Sequence, residues 1–180
     1  MRKCVWLGSL AAVLAAGAFL SLLVLGYPQF RGQRPLLSED EAALLGLIND
    51  YRFHHDLPAL RVSPTLTAAA RWMSEDAAKR DYFGLIDSLG RNPLQRMAAF
   101  GYTPSDTWGL WGIEQWNEIT GAGPRTPEVA FEAWRKFSPI MLSDDFVVAG
   151  VGKAYNAQSL YGWYWTVDFG SYDDAQAATP

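Results

Sequence analysis

Apolar residues recur at helical spacing in four segments of the chain, and each segment opens with a residue that caps helices. The first follows a capping box at positions 38–41, in which the Ser38 hydroxyl and the Glu41 side chain satisfy free backbone N–H groups. The other three begin at Ser63, Asn92 and Thr126, each followed by a proline that fits the first helical turn. The pattern predicts helices over about residues 39–55, 64–80, 93–100 and 127–134.

The last third of the chain alternates between apolar and polar positions instead. Residues 146–155 and 160–169 are predicted to be strands, joined by a four-residue hairpin loop at 156–159. Residues 108–119 are rich in Trp and Gly and predict either a strand or an ordered loop. Helices grouped first and a hairpin last indicate an α+β fold, with one layer of sheet covered by helices.

The N-terminus carries a separate apolar segment. Arg2 and Lys3 precede residues 4–30, which contain no charged side chain and are long enough for a membrane-spanning helix of about 20 residues. Small residues at 16–18 resemble a signal-peptidase site, but apolar residues resume directly after them. We therefore favour an uncleaved signal-anchor over a cleaved signal peptide. The positive-inside bias would leave Arg2 and Lys3 in the cytoplasm and the rest of the chain outside, although two arginines on the other flank weaken this orientation.

These patterns divide the chain into four parts. We expect a signal-anchor or signal peptide at 1–30, a linker at 31–37, one domain at 38–170 and a polar, frayed tail at 171–180. Residues 31–180 carry 13 basic and 19 acidic side chains, since Arg2 and Lys3 are the only charges before them, so their net charge is −6. An acidic domain lacks the cations that neutralise phosphates, which argues against nucleic-acid binding. The single cysteine, Cys4, leaves the exported part without a disulfide.

Several short motifs of the chain occur in the same order as in one known protein family. Trp134 followed by Ser138-Pro139, an apolar pair, the Gly150-Val151-Gly152 strand and an aromatic hairpin resembles the CAP superfamily of cysteine-rich secretory, antigen 5 and pathogenesis-related proteins. Earlier segments resemble the family's motifs in the same order, at residues 47–52, 57–60, 80–83, 87–91 and 100–102. The resemblance spans about residues 39–170 and implies an α-β-α sandwich with a small, mainly antiparallel sheet flanked by helices. The lack of disulfides points to a bacterial-type member.

The resemblance also implies a cleft that usually holds two histidines and acidic residues. Leu85 occupies the first histidine position, and Ile140 or Met141 occupies the second. The family's Gly-Glu-Asn-Ile motif corresponds to residues 116–119, with Glu118 displaced by one position, or to the neighbourhood of Glu114. Glu132 or Glu128 corresponds to a further acidic residue of the family's cleft. The cleft-lining candidates are Leu85, Asp87, Glu114, Asn117, Glu118, Glu132, Ser138 and Met141.

Each candidate also has a purely structural interpretation. Glu114 and Glu118 can instead tie down the Trp-rich loop by accepting backbone N–H bonds, and Ser138 is expected to be a cap or turn residue rather than a nucleophile. The only histidines, His54 and His55, are adjacent and point about 100° apart on a helix, so they cannot chelate one ion and are expected to be exposed. The tryptophans can form a stacking platform or core; core is favoured for Trp108, Trp111 and Trp116 and expected for Trp134, Trp163 and Trp165.

The sequence therefore predicts a domain that binds a ligand or surface partner rather than an enzyme, with no catalytic residue, metal or cofactor. The resemblance implies a lipid, a glycan or an envelope protein as partner, with membrane attachment through the N-terminal helix. One alternative is a hydrolase that uses Glu114, Glu118 or Glu132 with a recruited metal. Another is a structural protein of the cell envelope.

Overall fold

A computed structural model describes residues 36–103 and 116–174. The predictions for the N-terminal segment, for Trp108, Trp111 and Glu114, and for the end of the tail lie outside these ranges. None of the helices within the described ranges is both long and apolar enough to cross a bilayer.

The four helices begin at the predicted caps. Helix α1 spans Glu39–Phe53, α2 Pro64–Arg80, α3 Pro93–Ala99 and α4 Pro127–Trp134. At the start of α1 the Ser38 Oγ accepts from the Glu41 N–H, and a Glu41 carboxylate oxygen accepts from the Ser38 N–H at 2.7 Å, so the capping box is confirmed. A second capping box, between Asn92 and Gln95, opens α3 and was not predicted.

The described part of the chain has four strands, which span Arg61–Val62 (β1), Trp116–Ala122 (β2), Val148–Tyr155 (β3) and Trp163–Gly170 (β4). They form one mixed sheet in the order β1-β3-β4-β2. β3–β4 and β4–β2 are antiparallel, whereas β1 pairs in parallel with β3. The α+β class is confirmed. The two-residue β1 was not predicted, because two residues show no alternation.

The predicted hairpin is confirmed, but its loop is longer than expected. It covers residues 156–162, because the Asn156 N–H already bonds the carbonyl of Gly162 at 2.8 Å and Gly162 adopts a positive φ of 71°. Trp163, which was expected in the core, is only half-buried. Its ring contacts Tyr155, with centroids 4.3 Å apart, and the Lys153 ammonium lies 4.2 Å from its centroid.

Helices pack on both faces of the sheet. Helix α2 lies against β3 and β4 so closely that the Ser74 hydroxyl donates to the carbonyl of Gly152 at 3.1 Å. On the other face, Trp134 of α4 contacts Gly121 of β2, and α1 joins it in covering the main core. That core comprises Leu37, Leu44, Leu45, Ile48, Leu60, Ile119, Ala130, Trp134, Met141, Phe146, Ala149, Val151, Trp165, Val167 and Phe169.

The Ser138-Pro139 segment forms a compact connection between α4 and β3. A 3₁₀ turn at Arg135–Phe137 leads into a single helical turn at Ser138–Met141. Ser138 lies in this turn, as expected, and it is also the C-cap of the 3₁₀ turn, where its N–H bonds the carbonyl of Arg135. Fully buried Arg52 fixes the connection by donating to the carbonyls of Met141 at 2.8 Å and Ser143 at 2.7 Å.

Candidate functional site

A buried guanidinium lies at the centre of the candidate site. The capping box at Asn92 starts α3 so that Arg96, fully buried, reaches the face of the sheet that α2 also covers. One Arg96 nitrogen donates to a carboxylate oxygen of Glu118 on β2 at 2.5 Å. Both terminal nitrogens lie 3.4 Å from the carbonyl oxygen of Leu85, and one lies 3.6 Å from the carboxylate of Asp87. Arg96 thus ties the loop before α3 to the edge strand of the sheet.

A second carboxyl group faces this ion pair. Asp168 on β4 lies directly opposite Glu118 in the register and is fully buried. Burial raises the pKa of Asp168 well above its ordinary value, and the charge of Glu118 and the hydrogen bond with it act in the same direction. Burial also raises the pKa of Glu118, and the hydrogen bond with Asp168 and the charge of Arg96 offset this only in part. Two carboxyl groups in this arrangement cannot both ionise without a large cost.

Two further carboxylates hold the loop between α2 and α3 in shape. Asp87 accepts from the backbone N–H groups of Leu89 and Arg91, each at 2.9 Å, and from the Arg91 guanidinium at 2.7 Å. Burial alone would raise the pKa of Asp87, but the bonds from Arg91 and Leu89 outweigh burial and lower it. Asp76 of α2 accepts from the Ser88 N–H at 2.9 Å and from the Ser88 hydroxyl at 2.7 Å. Both carboxylates therefore point inward, toward donors of their own loop.

The outer side of the same loop is apolar. Phe83, Leu85, Ile86 and Leu89 have between 49% and 65% of their surface exposed. We call these four side chains the apolar loop surface. Phe83 also lines an adjoining shallow hollow that is open to solvent, whose other walls include Met73, Ala77, Thr120, Tyr164 and Trp165.

A second loop contributes to this end of the domain. Asp81 follows the last residue of α2, and its carboxylate accepts from the Leu160 N–H at 2.7 Å and from the Tyr164 hydroxyl at 2.9 Å. The β3–β4 loop is thereby attached beside the apolar loop surface. It adds the exposed side chains of Leu160 and Tyr161.

The structure brings some of the predicted cleft residues together and separates others. Leu85, through its carbonyl, and Asp87 and Glu118, through their carboxylates, lie around Arg96. Asn117 precedes Glu118 on β2, so its half-buried side chain leaves the opposite face of the sheet, and its side-chain oxygen accepts from the Glu118 N–H at 2.9 Å.

The remaining predicted residues lie elsewhere. Glu132 is exposed on α4, 3.5 Å from Arg135. Ser138 is half-buried in the turn after α4, and Met141 is fully buried in the main core with Val167 and Phe169. Because Asp168 alternates with those two residues along β4, Met141 packs on the face of the sheet opposite Glu118. Glu114 lies outside the described residues.

The two most buried ionisable residues of the cluster, Arg96 and Asp168, were not predicted from the sequence. Asp168 interrupts an apolar run between Val167 and Phe169 on a strand expected to be central, which was an available signal. Arg96 gave no such signal, because an arginine in a short helix is normally exposed.

The two histidines lie away from this cluster and are exposed, as expected. They follow the C-terminal end of α1, and the Nδ1 atoms of His54 and His55 lie 2.7 and 2.8 Å from the carbonyl oxygens of Asp50 and Tyr51. Within residues 36–103 and 116–174, no three His, Cys, Asp or Glu side chains are grouped as metal ligands would be.

The mixed sheet, the helices on its faces and the Ser-Pro turn define an α+β domain of the secreted CAP type. The family model described as the cysteine-rich secretory protein family, CAP, matches residues 45–169, and the chain belongs to this family. No protein of curated function matches the chain.

Solved structures show the same fold in bacterial proteins. An outer surface protein of Borrelia burgdorferi superposes with a TM-score of 0.62 at 19% identity, over 76% of this chain and 95% of that protein. An extracellular protein of Bacillus anthracis with an SCP domain gives 0.58 at 20% identity, over 74% of this chain and 40% of that one. A cysteine-rich secretory protein of Staphylococcus aureus gives 0.50 at 11% identity, over 74% of this chain and 39% of that one. At these identities the likeness concerns the fold.

Proposed function

We propose that this protein is an extracytoplasmic CAP domain that binds an amphipathic lipid through its apolar loop surface, rather than a catalyst. One observation carries the proposal: the exposed side of the loop that carries Leu85 is apolar, while the carboxylates of Asp87 and Glu118 beside it point inward. The segment at residues 1–30 attaches the domain to the membrane as an uncleaved signal-anchor.

The chemistry of the exposed side chains favours a lipid over a glycan. Three of the four members of the apolar loop surface are aliphatic, at positions 85, 86 and 89, and Asp87 between them is buried. Sugar recognition needs polar side chains that can reach the hydroxyl groups, whereas clustered exposed apolar side chains suit alkyl chains.

The charged residues around Arg96 support binding over catalysis for a different reason. A general acid or base must lie within hydrogen-bond reach of its substrate. Glu118 is buried and bonded to Arg96, and Asp87 is bonded to three donors of its own loop. The two imidazoles of the chain lie at the end of α1, bonded to its carbonyls.

Photolabelling of the full chain in lipid nanodiscs tests this proposal. With a phospholipid that carries a diazirine on its acyl chain, we expect label in the tryptic peptide of residues 81–91, which is released by cleavage after Arg80 and Arg91. Replacing Leu85 and Ile86 with serine should lower labelling of this peptide roughly tenfold or more, since each large apolar side chain contributes about 1.5–3 kcal/mol when buried. Val129→Ser, at a similarly exposed apolar position on α4, is the matched control and should change nothing.

Two results would contradict the proposal. One is label found only in residues 1–30; the same amount of label in the 81–91 peptide of the parent and of the double variant is equivalent. Either outcome would show that the loop does not contact lipid. An esterase or peptidase activity of the purified chain that is lost in Glu118→Gln, at unchanged thermal stability, would favour the hydrolase alternative.

A further inference from the structure

The pair of carboxyl groups beneath α3 is almost completely shielded from solvent. Glu118 is 5% exposed and Asp168 is 0% exposed, and the two residues are direct partners in the antiparallel β2–β4 register. Directly opposed positions on neighbouring antiparallel strands place their side chains on the same face, about 4.5–5.5 Å apart at Cβ. The two carboxyl groups therefore share one small polar space inside the domain.

The donors around this pair are too few for two carboxylates. Arg96 donates to one oxygen of Glu118, at 2.5 Å. Apart from each other, the other oxygen of Glu118 and both oxygens of Asp168 have no hydrogen-bond partner among the described residues. A buried ion without donors is costly, and one guanidinium offsets one negative charge, not two.

From this geometry we infer that Glu118 and Asp168 share a single proton at neutral pH, held between the free oxygen of Glu118 and the carboxyl group of Asp168. Arg96 keeps the negative charge on Glu118, so the proton resides on Asp168 and is donated to Glu118. The domain takes up this one proton when it folds, because the two carboxyl groups are separate and ionised in the unfolded chain at neutral pH. The inference is independent of the proposed lipid binding.

Most of what faces Asp168 favours the protonated state, and the charge of Arg96 alone opposes it by lowering the pKa of Asp168. On β2 it faces Glu118, and on α3 it faces Arg96, whose own charge is compensated by Glu118 and by Asp87. On β3 the partner in the register is Gly150, which carries no side chain, and behind it α2 approaches with the backbone of Leu66 and Thr67. The pKa of Asp168 is raised by burial first and by Glu118 second, in agreement with the donor count.

A proton taken up on folding makes stability depend on pH in a defined direction. A carboxyl group whose pKa is raised in the folded state stabilises the fold fully at a pH below its unfolded-state pKa of about 4. This stabilisation is lost as the pH rises toward the folded-state pKa. Asp168→Asn supplies a permanent N–H donor to Glu118 and removes this dependence. The folding equilibrium constant of the variant, divided by that of the parent, should therefore increase with pH above about 4, roughly tenfold for each unit by which the folded pKa is raised.

Denaturant unfolding of the full chain between pH 4 and pH 8 tests the inference. We expect the ratio for Asp168→Asn to increase at least about tenfold over this range, and the ratio for Gly46→Ala on α1, which changes no ionisable group, to stay flat. Glu118→Gln removes the competing charge and leaves Asp168 as the anion of Arg96, so it should also flatten the parent's dependence.

Infrared spectroscopy gives a second readout on the folded parent, without unfolding. A carboxylic-acid C=O band should be present at pH 7 and absent in Asp168→Asn. If the band is missing from the parent, or if the stability ratio for Asp168→Asn is independent of pH or falls as the pH rises, both carboxyl groups are ionised and the inference is wrong.

Discussion

Replacing Gly150 with alanine is expected to destabilise the domain by about 3 kcal/mol or more, at the upper end of what overpacking costs. A Cβ at this position would lie well under 3.0 Å from the backbone of Leu66 and Thr67 in α2, a distance that real Cβ atoms essentially never show. The obstacle is backbone, so it cannot rotate away as a side chain would. Relief requires α2 to move off β3, although α2 and β3 form one of the main contacts of the domain.

The loss would be measured by denaturant unfolding followed by tryptophan fluorescence. Since single domains have about 5–15 kcal/mol of stability, the variant should show a clearly lower midpoint or be unfolded in buffer. Gly46→Ala on α1 is the matched control, because nothing lies within 4 Å of its added Cβ, and it should be neutral or stabilising by up to about 1 kcal/mol. Equal midpoints for Gly150→Ala and the parent would mean that α2 does not pack as closely as described.

Arg96→Met is expected to have the next largest effect and to lower the free energy of unfolding by about 3–5 kcal/mol at pH 7. Methionine fills much of the same volume but removes the cation, so Glu118 and Asp168 remain buried without an opposite charge. The folded variant can then relieve its charge only by binding a further proton. Its deficit should therefore shrink as the pH falls toward about 4, where carboxyl groups of the unfolded chain are also protonated.

Chemical unfolding at pH 7 and at pH 4.5 measures both parts of this prediction. Arg80→Met is the matched control: its side chain is 54% exposed and pairs with Asp76 at 2.9 Å, so its loss should be about 1 kcal/mol or less at either pH. Similar losses for the two arginine variants would show that burial does not strengthen the Arg96 pair.

Patterns among neighbouring residues were enough to predict the helices and the hairpin. Ser38, Ser63, Asn92 and Thr126 cap their helices through bonds that span three residues, and such bonds can be read from neighbouring positions. The alternation of the last two strands is equally local. Strand β1 exists only because residues 61–62 pair with β3, more than 80 positions later, and two residues carry no period of their own.

The candidate site was only partly predictable for the same reason. Leu85 and Glu118 were found through the family resemblance, and the structure places both around Arg96. Arg96 itself is 22 positions from Glu118, and Asp168 meets Glu118 through the register of β2 on β4. Neither separation follows a helical or strand period, so the sequence does not show that these residues meet, although Asp168 stands out between Val167 and Phe169.

The carboxylates that hold the loop between α2 and α3 also affect how tightly its outer side can bind. Asp76 and Asp87 accept from the backbone N–H groups of Ser88, Leu89 and Arg91, so this loop has little conformational freedom before it meets a partner. Ordering a loop or its side chains on association costs about 0.5–1.5 kcal/mol for each side chain immobilised. The backbone entropy of this loop is already lost when the domain folds, so the proposed lipid would have to order only the exposed side chains at positions 83–89.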